Sequence, residues 1–239
     1  PLAYQLDSMG FICQLYRGNE PLLKDSTSIR PCFWRAPTDN DYGAKLPEKY
    51  ISAKNPSFRL TEIQQSGDTL VCHYAIEVFD GQMWLKYYPQ DGGLGVTMEM
   101  TTSKPVSVFR YGVVMTLHKE FEQLRYLGRG PHENYPDRKS SAARAIYDQT
   151  VTEQYFPYIR PQETGYHTDV AWLTLSSSAN KLCIVNNQSS SLLGFSALHY
   201  TTSSLDDGIS KQDNQRHGAL LDEQNLTEVH IDSEMMGLG

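Results

Sequence analysis

The stretch VSVFRYGVVMTLH, residues 106–118, carries the pattern that decides the fold class. Apolar side chains recur along it with a period of two, which is typical of a β-strand with one buried face. The same alternation recurs at residues 11–18, 70–79, 94–103, 170–177, 181–187, 192–200 and 226–232. Turn signals such as SGD, QDGG and SSAN separate these stretches. The spacing predicts an all-β fold, a large antiparallel β-sandwich whose sheets pack face to face.

Helical periodicity is nearly absent from the chain. Two short helices are predicted, at residues 48–53 and 205–212. No repeat of 20–50 residues and no low-complexity linker divides the sequence. We therefore expect a single domain over residues 1–239.

The composition narrows the class of protein. The 239 residues include 15 Tyr, 8 Phe and 3 Trp, enough for a sizeable core, and this argues against disorder. The net charge of −7 and the lack of a Lys/Arg cluster disfavour a nucleic-acid or anionic-membrane partner. The sequence contains neither a secretory signal at its start nor an apolar run long enough to span a bilayer.

The four cysteines are scattered without the spacing of a zinc or redox motif. They are Cys13, Cys32, Cys72 and Cys183. We expect mostly buried free thiols, with a structural disulfide as the alternative.

Three long polar loops stand out, at residues 26–45, 127–144 and 155–168. In the first, FWRAPTDNDYG (residues 33–43), the alternating acids are similar to the start of a calcium loop, but the glycine comes one position early. The favoured interpretation is carboxylate capping of backbone N–H groups. Arg35 is predicted to form a bidentate pair with one of the acids.

The second loop contains GRGPHENYPDRKSSA, residues 128–142. From the residues alone, His132 and Glu133 could form an acid–base pair. The alternative is a structural corner in which prolines fix the turn, Tyr135 packs, and the Asp137 carboxylate pairs with Arg138 or a neighbour.

The third loop contains YIRPQETGYHTDVAW, residues 158–172. His167 and Asp169 would share a face if this part is extended. A metal site would need a third ligand, and the sequence nominates none. Nucleophile-elbow, phosphate-loop and zinc motifs do not occur.

Four stretches taken together carry a family resemblance. They are FWRAPTDNDYG, YLGRGPHENYPDRKSSA, YIRPQETGYHTDVAW and VHIDSEMMGLG. In this order they resemble the C-terminal, fifth and small-chain-like domain of bacterial β-galactosidases of glycoside hydrolase family 2. The resemblance covers essentially the whole chain. It implies a galactose-mutarotase-like supersandwich, part of a larger multidomain glycosidase and cut short at its C-terminus.

The resemblance also implies where the chemistry lies. Members of the family hydrolyse terminal non-reducing β-D-galactose residues, with catalytic glutamates, magnesium and a monovalent cation in a TIM barrel that is absent here. This chain is therefore expected to hold no catalytic residue, metal or cofactor and to be inactive alone. Its expected partners are the preceding domains of the same polypeptide and, in the intact enzyme, galactosides. A homo-oligomer in the bacterial cytoplasm or periplasm is expected.

Individual residues take expectations from the same resemblance. Gly43 matches a glycine that opens a mobile loop beside the galactose pocket, and Asp39 and Asp41 lie close to it in sequence. A tryptophan platform found in some members aligns with Glu228, so no stacking role is assigned. A structural role, with possible sugar or interdomain contacts, is expected for Arg35, Arg129, His132, Glu133, Asn134, Tyr135, Arg138 and Glu163.

Two other functions remain open from the residues. A carbohydrate-binding module would need an exposed stacking ring, and the candidates are Trp34, Tyr42 and Trp172. An epimerase or mutarotase would need a histidine and a carboxylate that converge. The candidate pairs are His132 with Glu163 and His167 with Glu133.

Overall fold

The computed structural model describes residues 2–25, 27–158, 160, 162–187, 191–208 and 221–238. In chain order its strands are β1 (Leu2–Leu6), β2 (Ile12–Arg17), β3 (Glu20–Pro21), β4 (Arg30–Cys32), β5 (Arg59–Ser66), β6 (Thr69–Ile76), β7 (Gly81–Gln90), β8 (Gly93–Thr102), β9 (Arg110–Leu117), β10 (Gln123–Gly130), β11 (Ala143–Thr150), β12 (His167–Val170), β13 (Trp172–Ser176), β14 (Lys181–Val185), β15 (Leu193–Leu198) and β16 (Thr227–Met235).

Within the described ranges these strands form four sheets. Their strand orders are β1-β2-β3, β5-β6-β7-β8, β12-β15-β16-β9-β4 and β11-β10-β13-β14. Neighbouring strands in each sheet run antiparallel. The prediction of an all-β, antiparallel class is confirmed.

The stretch at residues 106–118 forms β9, which lies inside the five-stranded sheet between β16 and β4. The other seven alternating stretches also contain strands, namely β2, β6, β8, β13, β14, β15 and β16. The predicted stretches did not cover β1, β3, β4, β5, β7, β10 and β11, and they reached only the last residue of β12. β5 and β11 are exposed along most of their length, so apolar alternation is weak in them.

Helices are short. They are α1 (Asp39–Gly43), α2 (Leu46–Tyr50) and α3 (Thr202–Leu205), with 3₁₀ turns at Ile51–Ala53, Glu77–Phe79 and Thr152–Gln154. α2 and the turn after it confirm the helix predicted at residues 48–53. The helix predicted at residues 205–212 is wrong where it can be judged, because α3 ends at Leu205. Residues 209–212 lie outside the described part.

One large apolar cluster joins side chains from all four sheets. It includes Ile12 from β2 of the three-stranded sheet, Tyr74 from β6, Leu173 from β13 and Phe195 from β15, each at most 1% exposed. Two smaller clusters lie under the loops, one around Tyr166 and one of Trp34, Tyr50 and Phe109. The polar loops are therefore attached to the scaffold by apolar packing of their own.

All four cysteines are free thiols. Only Cys72 is buried, Cys13 and Cys32 are half-buried, and Cys183 is exposed. The prediction of free thiols is confirmed, and that of mostly buried ones is wrong. No helix in the described ranges has the length and apolar character needed to cross a membrane.

Candidate functional site

A buried ion pair anchors the first loop. Arg35 donates from Nη1 and Nη2 to the two carboxylate oxygens of Asp41, at 2.6 and 3.1 Å. The two side chains are only 1% and 3% exposed. The guanidinium also lies over the ring of Phe109, 4.8 Å from its centroid. The predicted bidentate pair is confirmed, and Asp41 is the acid that forms it.

Asp41 also caps the N-terminus of helix α1 together with Thr38. Its Oδ2 accepts from the backbone N–H of Thr38 at 2.7 Å, while Asp41 donates its own N–H to Thr38 Oγ1. This reciprocal arrangement is a capping box, which confirms the predicted capping of backbone N–H groups by a carboxylate. The ion pair with Arg35, the capping box with Thr38 and the burial of the side chain together fix the position of Asp41.

The neighbouring residues reach the surface. Gly43 is the last residue of α1 and is exposed, with open space around the position of a side chain. Asp39 is half-buried, and its Oδ1 lies 3.9 Å from Arg160 of the third loop. Of the three residues expected near the substrate, Asp39 and Gly43 can therefore touch a ligand, whereas Asp41 lies inside.

A second buried charge cluster was missed from the sequence. Arg110 on β9 is 1% exposed and lies 3.3 Å from the carboxylate of Asp232 on β16. It also donates from Nη2 to Glu163 of the third loop, at 3.2 Å. Burial opposes the positive charge, but the two carboxylates outweigh burial and raise the pKa of Arg110. Glu163 joins the third loop to the five-stranded sheet.

The pairing register of β9 and β16 explains why Arg110 and Asp232 lie together. β16 and β9 pair so that Asp232 faces Gly112. A methyl group at Gly112 would lie 2.2 Å from Oδ1 of Asp232, so glycine is required for the close approach. Arg110 and Asp232 are 122 positions apart, and only the pairing of the two strands brings them together.

The two charge clusters meet at a small cavity of about 20 Å³. Arg35, Arg110 and Glu163 line it together with His230 and Glu228 of β16. Nε2 of His230 lies 3.0 Å from Oε1 of Glu228. Burial opposes ionisation of Glu228, but hydrogen bonds with His230 and Thr202 lower the pKa of its carboxyl group.

The corner after β10 is held by Asn134, which is fully buried. Its Nδ2 donates to the carbonyl oxygens of Arg129 and His132, at 3.0 and 3.1 Å. Its Oδ1 accepts from the backbone N–H and the hydroxyl of Thr168, at 3.0 and 2.5 Å. Next to it, the buried Tyr135 donates its hydroxyl to the carbonyl of Glu163 at 2.6 Å. The corner and the third loop thus form one hydrogen-bonded unit.

The charged residues of the corner lie nearer the surface. The side chain of His132 is exposed, and among the described hydrogen bonds only its carbonyl takes part. Glu133 is half-buried and accepts from the hydroxyl of Tyr158. Arg138 is exposed, and its backbone pairs with Tyr135. Asp137 accepts from the backbone N–H of Leu238 near the end of the chain, at 2.8 Å.

Asp169 closes the same unit with two cations. It accepts from Arg129 Nε at 2.5 Å and from Lys139 Nζ at 2.7 Å. Burial opposes ionisation, but these two hydrogen bonds lower the pKa of Asp169. Its backbone has φ of +56°, and the register of β12 shifts between His167 and Val170. The segment is therefore not regularly extended, and the condition under which His167 and Asp169 would share a face is not met.

His167 is fully buried below this unit. Its ring contacts the hydroxyl of Tyr126, the carbonyl of Arg129 and the side chain of Gln154, at 3.1, 2.9 and 2.7 Å. Burial lowers its pKa to about 4, although the bond to Arg129 works against this shift. Glu133 is absent from the described partners of His167, and the described salt bridge of Glu163 goes to Arg110.

The aromatic candidates for sugar stacking are mostly inside. Trp34 is 3% exposed and donates its indole N–H to Asp206 at 2.9 Å, and Tyr42 is 6% exposed. Trp172 is half-buried on β13. Buried rings cannot receive a sugar, so two of the three candidate platforms are lost.

Comparison with known proteins assigns the family. A family model described as "Beta galactosidase small chain" matches residues 3–239. The chain belongs to the β-galactosidase small-chain family.

Relatives in several bacteria are named β-galactosidase. The chain is 33% identical to one from Priestia megaterium (strain DSM 319 / IMG 1521) over 180 residues, which cover 72% of this chain and 17% of the relative. It is 28% identical to one from Staphylococcus xylosus over 218 residues, covering 86% and 21%. One from Pseudoalteromonas haloplanktis is 27% identical over 247 residues, covering 92% and 22%. This small-chain sequence thus spans about a fifth of these relatives.

The two motifs that carry the family resemblance coincide with the two hydrogen-bonded loop clusters. FWRAPTDNDYG contains the Arg35–Asp41 pair, and GRGPHENYPDR contains Asn134 and Arg129. Within the described ranges, His, Cys, Asp and Glu side chains form no group of three arranged to hold a metal ion.

Proposed function

We propose that this chain is the C-terminal domain of a β-galactosidase that hydrolyses terminal non-reducing β-D-galactose residues. The observation that carries the proposal is the family match over residues 3–239 in a chain that spans only about a fifth of relatives named β-galactosidase. In the proposal, residues 1–239 form one domain that completes the fold and the rim of an active site. The catalytic glutamates, a magnesium ion and a monovalent cation lie in a preceding barrel domain.

The proposed architecture is a galactose-mutarotase-like supersandwich. Four antiparallel sheets that share one large apolar cluster support it. The proposed partners are the preceding domains of the same polypeptide and, in a homo-oligomer, further copies of it. The cytoplasm or the periplasm is the proposed compartment.

The ion pairs within the loops support a role for this chain in shaping an active site. The carboxylates of Asp41, Asp169 and Glu163 each pair with an arginine of the same chain. A carboxylate that is paired with a guanidinium stays ionised at neutral pH and is therefore a poor proton donor. These pairs support a role for the three acids in positioning the loops, and the proposal places the bond-cleaving carboxylates outside this chain.

In the proposal, Asp41 is a positioning residue of the rim. Its pair with Arg35 fixes the start of α1, and the helix ends at the exposed Gly43. A rigid start followed by a residue with free space around it suits a loop that moves when a ligand enters. Asp39, half-buried on the same helix, is the side chain that would approach the galactoside.

The experiment compares a full-length protein containing this chain with a variant that lacks residues 1–239, using a chromogenic β-galactoside. We expect hydrolysis by the first and none by the second. Size-exclusion chromatography and circular dichroism of the variant control for loss of the remaining domains. Full activity after the deletion, or no β-galactosidase activity in the intact protein, would refute the proposal.

A further inference from the structure

An apolar row crosses the outer face of the β11-β10-β13-β14 sheet. Ile146 pairs with Leu127, Leu127 with Trp172, and Trp172 with Val185, so one residue from each strand lies in the same row. Ile146 is 51% exposed and Val185 61% exposed, with Leu127 and Trp172 half-buried between them. The next row, from Tyr126 to Leu173, points into the core and is fully buried. The sheet therefore has an apolar stripe on each face.

Charged side chains border the outer row. Beside it is a groove of about 380 Å³ whose lining includes Arg125, Asp148, Thr174, Glu153 and Lys181. Arg125 and Asp148 form an exposed pair at 3.4 Å, which contributes little to folding.

Along the other side of the row lie Arg129, Arg144, Lys139 and Asp169. Arg144 pairs with Arg129 across the strands, and Asp169 accepts from Arg129 and Lys139. Together with the groove, the border has five cations against three anions, a net charge of +2, in a chain of net charge −7. A positive border on an acidic chain selects a negative partner surface.

We propose that this face docks another domain of the same, longer polypeptide, through an apolar patch of that domain bordered by carboxylates. The inference rests on the proposed function, since it requires the chain to be one part of a larger protein. About four fifths of the length of the relatives lies outside this chain, which provides ample surface in the same molecule. An apolar row across four strands between polar borders has the anatomy of a protein interface.

Cys183 provides a natural probe of this face. It lies on β14 and is exposed, two residues before Val185 and opposite Thr174. The full-length protein is treated with iodoacetamide under native conditions, and modification of each cysteine is measured by peptide mass spectrometry. We expect no modification of Cys183 in the native wild-type protein and complete modification after unfolding.

Variants test the cause of the protection. Ile146→Glu places a carboxylate against the proposed acidic border and should restore modification of Cys183. Ile63→Glu, on β5 of another sheet and similarly exposed at 53%, should leave Cys183 protected. If Ile146→Glu does not yield folded protein, Val185→Glu on the edge strand replaces it. Rapid modification of Cys183 in the native wild-type protein would overturn the inference, as would continued protection in a folded Ile146→Glu or Val185→Glu protein.

The same samples show whether another domain or a second copy covers this face. They also test the interface separately from the proposed function. Protection that disappears when the protein is diluted to a monomer would assign the face to a second copy and overturn the docking of another domain. Hydrolysis of a chromogenic β-galactoside tests the proposed function separately. An active enzyme with a reactive Cys183 overturns only the interface, and a protected Cys183 in an inactive protein leaves the interface intact.

Discussion

Replacing Asp41 by asparagine tests how the first loop is held. The amide keeps the shape of the carboxylate but removes the charge opposite Arg35, whose side chain is 1% exposed. Removing one partner of a buried ion pair costs about 3–5 kcal/mol, because the remaining charge stays buried without compensation. The amide oxygen still accepts one hydrogen bond, so we expect a loss of about 3 kcal/mol in the free energy of unfolding. That is a large fraction of the roughly 5–15 kcal/mol that stabilises a typical domain.

The assay is urea unfolding of the wild type, Asp41→Asn, Arg35→Met and the double variant at neutral pH. The double variant should be more stable than the sum of the single losses implies, because no charge is left unpaired. Glu77→Gln is the control, since its pair with Arg59 is 79% and 65% exposed. It should change stability by less than about 0.5 kcal/mol. A loss below about 1 kcal/mol for Asp41→Asn, or additive effects in the cycle, would refute the reasoning.

Three further predictions concern other buried positions. Asn134→Ala removes four hydrogen bonds from the corner and should cost about 3 kcal/mol in urea unfolding, whereas His132→Ala, an exposed control, should be close to neutral. Because burial lowers the pKa of His167 to about 4, the unfolded chain binds a proton that the folded chain does not bind between about pH 6.5 and 4. The unfolding free energy should therefore fall by up to about 3 kcal/mol across that window, and an equally steep fall in His167→Gln would contradict the assignment. Gly112→Ala forces a methyl group against Asp232 and should lower stability by about 1–3 kcal/mol in thermal unfolding, and an unchanged melting temperature would contradict the close approach.

The fold class could be predicted because alternation is strong where one face of a strand is buried. β9 is the clearest case, with its apolar positions facing the large core cluster. β5 and β11 could not be predicted in this way, since their side chains are exposed on both faces. Their pairing with β6 and β10 is fixed by backbone hydrogen bonds and position, which leave little trace in composition.

Some contacts of the candidate site could likewise be predicted from the sequence, and others could not. The Arg35–Asp41 pair was predictable because both residues lie in one motif, six positions apart. The Arg110–Asp232 pair was not, since the two residues lie on strands that are distant in sequence. Asp169 shows a third limit: its positive φ breaks the alternation that a sequence pattern assumes.

The central proposal is that this chain is part of a β-galactosidase whose bond-cleaving carboxylates lie outside residues 1–239. Retaining glycosidases form a covalent glycosyl–enzyme intermediate, which a fluorinated galactoside with a good leaving group can trap. The direct measurement is peptide mapping of the full-length protein after such labelling. We predict that the sugar is attached to a carboxylate outside this chain. Attachment to Glu133, Glu163, Asp169 or any other carboxylate of residues 1–239 would contradict the account.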